Sequence, residues 1–271
     1  RVRAAGALRH GGRHEEAGQV SELQGIYTLW HREVLRYTRE KSRMISSFIQ
    51  PLLWLIIFGA GISLPIQSAA HISYQMFIFP GVIMQALQFT SMFMGISVIW
   101  DRQFGFMKEI LVAPISRVSI FLGKMFGVST DAIVQGIIIF PFGLLIGVPL
   151  NIPAFLASIP VMMLITFGVV CVGLTIASFL TSLESFGLIQ TFVNLPLFFL
   201  SGALFPVTNI PGWLQWVFYV NPLTYGVDAL RSIILGSAWT PLLPLYQEIL
   251  ILLAFDAVMI TVGTYAFGRS A

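Results

Sequence analysis

The chain has 271 residues, 56% of them hydrophobic and only 10% charged, against roughly 25% charged residues in an ordinary soluble domain. A water-facing surface cannot be covered from that inventory, so the excess of Leu, Ile, Phe and Val makes the bilayer the solvent. The net charge of +3 does not indicate a nucleic-acid partner, because the basic residues cluster by position along the chain and form no recognition surface.

Residues 1–21 mix Arg, Gly, His and Glu without the apolar stretch of a secretory signal, and are expected to be a disordered cytoplasmic tail. Residues 22–271 are expected to form a single all-α transmembrane domain. From residue 22 to 43, Leu23, Ile26, Tyr27, Trp30, Val34 and Tyr37 recur at helical steps. His31, Arg32, Glu33, Arg36, Arg39 and Glu40 fill the other face, which predicts an amphipathic helix lying at the membrane interface.

Six apolar runs follow, near the length of about 20 residues that a bilayer requires. They cover residues 45–63, 74–99, 119–148, 154–180, 188–205 and 249–267. Pro141 allows a break in the third and Pro196 lies inside the fifth, while Gly168, Gly173 and Ala177 in the fourth permit close helix approach. Nine of the fifteen Lys and Arg residues precede the first run, Arg102, Lys108, Arg117 and Lys124 lie around the second connection, and Arg269 follows the last run. The positive-inside bias then puts both termini in the cytoplasm, with only Arg231 outside.

Between the second and third runs, Phe104, Met107, Ile110 and Leu111 form one face of a short helix that Pro114 stops, with Asp101, Arg102, Lys108 and Glu109 on its more polar remainder. Before the last run, Pro211 is followed by Trp213, Trp216 and Tyr219 at three-residue steps. An Asn221-Pro222 break comes next, then a second run with Asp228 and Arg231 at i and i+3. Two short helices dipping into the outer leaflet, with their aromatic rings at the interface, are predicted here.

Catalytic chemistry is missing. A phosphate-cradling loop needs an early glycine and a following Gly-Lys pair; the only such pair, Gly123-Lys124, has Val118 at the required glycine position. The four His residues have no metal-ligand spacing, and no nucleophile-base constellation can be assembled, so neither an enzyme nor a metal site is expected. Cys171, the one cysteine, reads as a small buried hydrophobe. The intramembrane carboxylates Asp131 and Asp256 are read as structural hydrogen-bonding groups, satisfied by Thr130, Gln135, Thr261 or water, with a substrate or proton role as the competing reading.

This order of elements resembles the type 2 ABC transporter permeases, within them the daunorubicin-resistance and Nod-factor export branch. The stretch DRQFGFMKEILVAPISRVSIFLGK at residues 101–124 is similar to that family's cytoplasmic loop signature, although Gln103 stands where an acidic residue is common. FFLSGALFPVTNIPGWLQWVFYVNPLTYGVDALR at residues 198–231 is similar to a second signature. The resemblance implies a multi-pass permease of the plasma (cell inner) membrane that dimerises with itself or a close paralogue. It also implies two separate cytoplasmic ATPase subunits, which hold ATP and Mg while this chain binds no cofactor, and outward movement of an amphiphilic drug, lipid, glycolipid or polysaccharide. ATPase coupling is then expected at Asp101, Arg102, Phe104, Gly105, Phe106, Met107, Lys108, Glu109 and Ile110, with the Phe, Met and Ile side chains packing and the charges orienting. An ion-coupled secondary transporter or channel is the alternative; it predicts an internal repeat, and residues 45–148 and 154–267 show no convincing one.

Overall fold

The computed structural model describes residues 22–61, 72–106, 115–207 and 210–270, and within them there is helix and no strand. The expected tail at residues 1–21 lies outside the described residues.

Helix α1 (Glu22–Arg39) has an acidic first turn and basic last turn, Glu22 against Arg36 and Arg39, which suits the helix dipole. Its buried stripe is Gly25, Leu29, Glu33 and Tyr37, every fourth residue, and it packs along α5 (Arg117–Ile139). Glycines make the approach possible: a Cβ on Gly123 would stand 2.7 Å from the Leu29 Cβ, and one on Gly127 would stand 2.5 Å from the Glu33 Cβ. Periodicity had placed Glu33 on the polar face; the structure buries it completely, because the contact is with a neighbouring helix that carries its own buried cation. The exposed apolar side chains Leu23 and Tyr27 remain on the outer side of α1.

After Glu40 the chain re-enters helix as α2 (Lys41–Gly61), with Pro51 inside it. The serine at position 73 then starts α3 (Tyr74–Phe93), its hydroxyl accepting from the Met76 N–H at 3.3 Å. Helix α3 is the axis of the bundle: it is buried almost throughout and touches α2, α5, α7 (Ile152–Phe179), α8 (Leu183–Phe199) and α10 (Pro222–Leu235). Lipid is as apolar as these side chains, so what is gained here is close packing and dispersion rather than escape from water.

At Met94 and Gly95 the axis steps into α4 (Ile96–Gln103). A Cβ on Gly95 would lie 2.5 Å from the Gly173 carbonyl oxygen and one on Gly173 2.8 Å from the Met92 oxygen, so the two backbones meet directly. Helix α5 ends at Ile139, and beyond Pro141 a short turn, α6 (Phe142–Leu145), completes the expected break. Asn151 caps α7, accepting from the Ala154 N–H at 2.7 Å. Helix α8 starts upstream of the expected run at Ser182, whose hydroxyl accepts from the Ser185 N–H, and it ends three residues after Pro196. Then come α9 (Gly212–Val220), α10, a 3-10 turn at Gly236–Ala238 and α11 (Leu245–Ser270), which lies along α7.

Four of the described segments are long and apolar enough to cross a membrane: Tyr74–Gln103, Arg117–Leu145, Ile152–Phe179 and Leu245–Arg269. Two shorter apolar helices, Ser47–Ile57 and Leu183–Phe199, coincide with the expected first and fifth runs.

Candidate coupling site and intramembrane polar groups

At one end of the bundle the side chains of α1, α4 and α5 converge on a buried ion network. Asp101, on the last turn of α4, accepts from Arg32 at 2.8 Å and from Lys124, while Glu33 lies 3.2 Å from Arg32 and 3.5 Å from Lys124. Lys124 and Glu33 are fully buried and only Arg32 reaches solvent, so two cations neutralise two anions in a region that excludes water. Arg36 adds a contact from α1 to α4, its guanidinium 4.8 Å from the centre of the Trp100 ring. At the start of α1, the Glu22 carboxylate accepts from the N–H and hydroxyl of Ser116, the cap of α5. Hydrogen bonds from Ser119 and Ser116 hold that carboxyl below the usual range.

The expected coupling residues divide at this point. Asp101 is the anchor of the ion network and not a surface charge. Arg102 donates to the Ser178 and Leu180 carbonyls at 3.3 and 3.2 Å, and Gln103 donates to the Thr181 carbonyl at 3.1 Å, which satisfies carbonyls left open by the end of α7. Gly105 has φ +80°, a left-handed conformation that only glycine adopts without cost, and turns the chain. On either side of that glycine, Phe104 and Phe106 project with 72% and 51% of their surface exposed. Met107, Lys108, Glu109 and Ile110 lie outside the described residues.

At the opposite end, Asn221 ties three segments together. Its carbonyl accepts from the Leu223 N–H to cap α10, and its amide donates to the Leu197 and Leu200 carbonyls at the end of α8. Pro211 precedes α9, where Trp213 and Trp216 are exposed; Pro222 opens α10 at the first helical position. Helix α10, expected to lie amphipathically in the interface, is instead enclosed by α3, α7 and α11, with Asp228 and Arg231 buried. Asp228 accepts from the Trp239 indole at 2.7 Å and from the Leu242 N–H at 2.6 Å. Arg231 lies between the Phe77 and Trp239 rings, 3.9 and 4.7 Å from their centres, and donates to the Phe77 and Gly202 carbonyls. Glu248, fully buried, stands beside this pair.

Asp131 is buried on α5. Thr130, its expected neighbour, donates to the Phe126 carbonyl and accepts from the Trp30 indole, while Gln135 bonds Thr90 and the Ser47 carbonyl. Asp256 on α11 faces the backbone of Gly168, where a Cβ would come within 2.6 Å of its carboxylate. Thr261 donates to Ala257.

Glu33, Lys124, Glu248 and Trp239 were not singled out as site residues by the sequence. The usable signal was Gly123 and Gly127 flanking a lone lysine in an apolar run, matched to the Gly25, Leu29, Glu33 and Tyr37 stripe at the same four-residue step.

Comparison with known proteins adds the family. Residues 24–235 match the ABC-2 type transporter family. The putative transport permease ycf38 of Cyanophora paradoxa is 32% identical over 251 residues, 87% of this chain and 86% of that protein. Nodulation protein J of Rhizobium meliloti is 27% identical over 212 residues, 77% of this chain and 80% of that protein. The inner membrane transport permease YadH of Escherichia coli is 27% identical over 235 residues, 83% of this chain and 89% of that protein. With the family match spanning most of an all-helical, membrane-crossing chain, this protein belongs to the ABC-2 type transporter permeases.

Proposed function

We propose that the chain is the membrane-spanning subunit of an ATP-driven exporter. It crosses the plasma membrane six times, with Ser47–Ile57 and Leu183–Phe199 as the two further spans and both termini in the cytoplasm. Residues 1–21 form a cytoplasmic tail and residues 22–271 the transmembrane domain. Two copies, or this chain and a close paralogue, pair in the membrane. Each engages one cytoplasmic ATPase subunit that carries ATP and Mg, and together they move an amphiphilic drug, lipid, glycolipid or polysaccharide outward.

The observation that carries this reading is the apolar tip at Phe104 and Phe106. Two exposed phenylalanines follow a 30-residue span, and the turn beneath them is held by Arg102 and Gln103 on the end of α7 and by Asp101 in the ion network. Exposed aromatics on a rigid base are suited to a protein groove, where such residues supply most of the contact energy. A force applied to the tip reaches α1, α5 and α7 without passing through a loose loop.

The test is co-expression with a candidate ABC ATPase subunit that co-purifies with the native chain. Phe104→Asp should insert and fold as the native chain does, yet lose co-purification or stimulated ATPase activity, because burying an unpaired carboxylate costs several kcal/mol. Full recovery of the complex and of transport by Phe104→Asp and Phe106→Asp would remove the tip from the coupling path.

A further inference from the structure

Between α2, α3, α5 and α8, with Tyr37 of α1 also on its wall, lies a cleft of about 300 Å³. Gln50, Gln85, Gln135 and Gln190 line it, one from each of the four helices, together with Phe89 and Phe93. Among the described residues no acidic or basic side chain does. The buried amides nearby, Gln88, Asn194 and Gln135, each hold at least one protein partner, although Gln88 Oε1 and Asn194 Nδ2 stay open. Gln88 donates to the Asn194 carbonyl and side chain at 2.8 and 2.7 Å, and Gln135 bonds Thr90 and Ser47. Gln85 differs: it is 1% exposed, and neither its amide nitrogen nor its oxygen has a hydrogen-bond partner among the described residues. Buried amides are almost always paired, so one left open on the wall of a cavity marks a place where a ligand supplies the partner.

We infer that this cleft binds an uncharged group that both donates and accepts hydrogen bonds, a hydroxyl- or amide-bearing head, and discriminates against ionic ones. An amide offers two donors and an acceptor, the pairing that a hydroxyl or a second amide completes. Phe89 and Phe93 provide apolar faces for the carbon skeleton of such a group. An ammonium or a phosphate entering here would meet no counter-charge on the lining itself. Charged side chains stand one helical turn behind the lining: Glu33 precedes Tyr37 on α1, inside an ion network that is neutral within itself, and the buried Asp131 precedes Gln135 on α5. The inference rests on the exporter reading only for the meaning of the cleft as a substrate site; the binding itself needs no ATPase.

The test uses the full chain in lipid nanodiscs and three photo-crosslinking amphiphiles with one dodecyl diazirine tail and a β-glucosyl, a trimethylammonium or a phosphate head. Peptide mapping should place the glucosyl probe on α2, α3 and α8 at a yield at least tenfold above the other two. Gln85→Leu should lower that yield about tenfold, equivalent to about 1.4 kcal/mol, with an unchanged elution profile. Gln85→Glu should instead raise labelling by the trimethylammonium probe, a gain that misfolding cannot produce. Equal labelling by all three heads, which marks a cleft filled by any lipid, overturns the inference, and so does a glucosyl preference that both variants leave intact. Because labelling is read without nucleotide, its failure is distinguishable from failure of the exporter reading.

Discussion

Replacing Lys124 by Met keeps the length of the side chain and removes one charge from the ion network. In the native chain Lys124 is fully buried, pairs with Asp101, and lies 3.5 Å from Glu33. Its loss leaves two carboxylates sharing Arg32, which is 2.8 Å from Asp101 and 3.2 Å from Glu33 but 37% exposed. Breaking a buried pair from one side costs about 3–5 kcal/mol; because Arg32 still compensates both carboxylates, the lower end applies, about 3 kcal/mol. At roughly 2–4 °C per kcal/mol the expected fall in Tm is about 6–12 °C, measurable by fluorescence-detected size exclusion after heating in detergent. Adding Glu33→Gln restores neutrality, since Arg32 and Asp101 remain as one pair, and should return about 2 kcal/mol of the loss. A single variant within about 1 °C of the native chain refutes this account, as does a double variant whose loss equals the sum of the two single losses.

Three further predictions follow from other contacts. Gly127→Ala puts a methyl 2.5 Å from the Glu33 Cβ, so α1 must move off α5; a cost of about 1–3 kcal/mol is expected, read as faster hydrogen exchange in α1. The Glu22 carboxyl is held below its ordinary value of about 4.3, so its hydrogen bonds to Ser116 stabilise the α1–α5 junction above that value and are lost as pH falls through the lower folded-state pKa. Protection of the Ser116 N–H, its exchange relative to the intrinsic rate at each pH, should therefore fall on acidification in the native chain, and in Glu22→Gln the protection should not change with pH. Arg231→Lys loses the planar group between Phe77 and Trp239 and a carbonyl contact, at a cost of about 2 kcal/mol, seen as a lower Tm and a longer-wavelength tryptophan emission.

Much of the architecture is legible because local rules suffice for it. Pro141 lacks an N–H for the helical ladder, and α5 stops just before it. The glycines at 168 and 173 mark close crossings because no side chain stands in the way, and the structure puts Asp256 and the Met92 backbone there. Asn221-Pro222 separates two helices because asparagine caps and proline begins a helix. What stayed hidden depends on partners far apart in the chain. Arg32 and Asp101 are 69 residues apart and Lys124 and Glu33 are 91, so a helical wheel of α1 alone must assign Glu33 to water. Helix α10 reads as amphipathic for the same reason: its charges face inward because α3 and the chain after Gly236 supply their partners. Gln85 carries no sequence signal at all, since only the comparison with neighbouring amides that each hold a protein partner makes one with both atoms open conspicuous.

The bonds from Arg102 and Gln103 to the last carbonyls of α7 also fix where a displacement would travel. Helix α7 runs for 28 residues with Pro160 inside it, and the stretch from Pro160 to Phe179, about 30 Å at the helical rise, carries the Gly168 and Gly173 crossings. That proline-free stretch keeps its hydrogen-bond ladder, so a shift of an ångström at the Arg102 turn is not absorbed locally but moves both glycine crossings by the same step, and Pro160, which lacks a donor for the ladder, is where the helix can yield before the Asn151 cap. The helix thus works as a push rod, with its bearings at the two places where side chains have been removed.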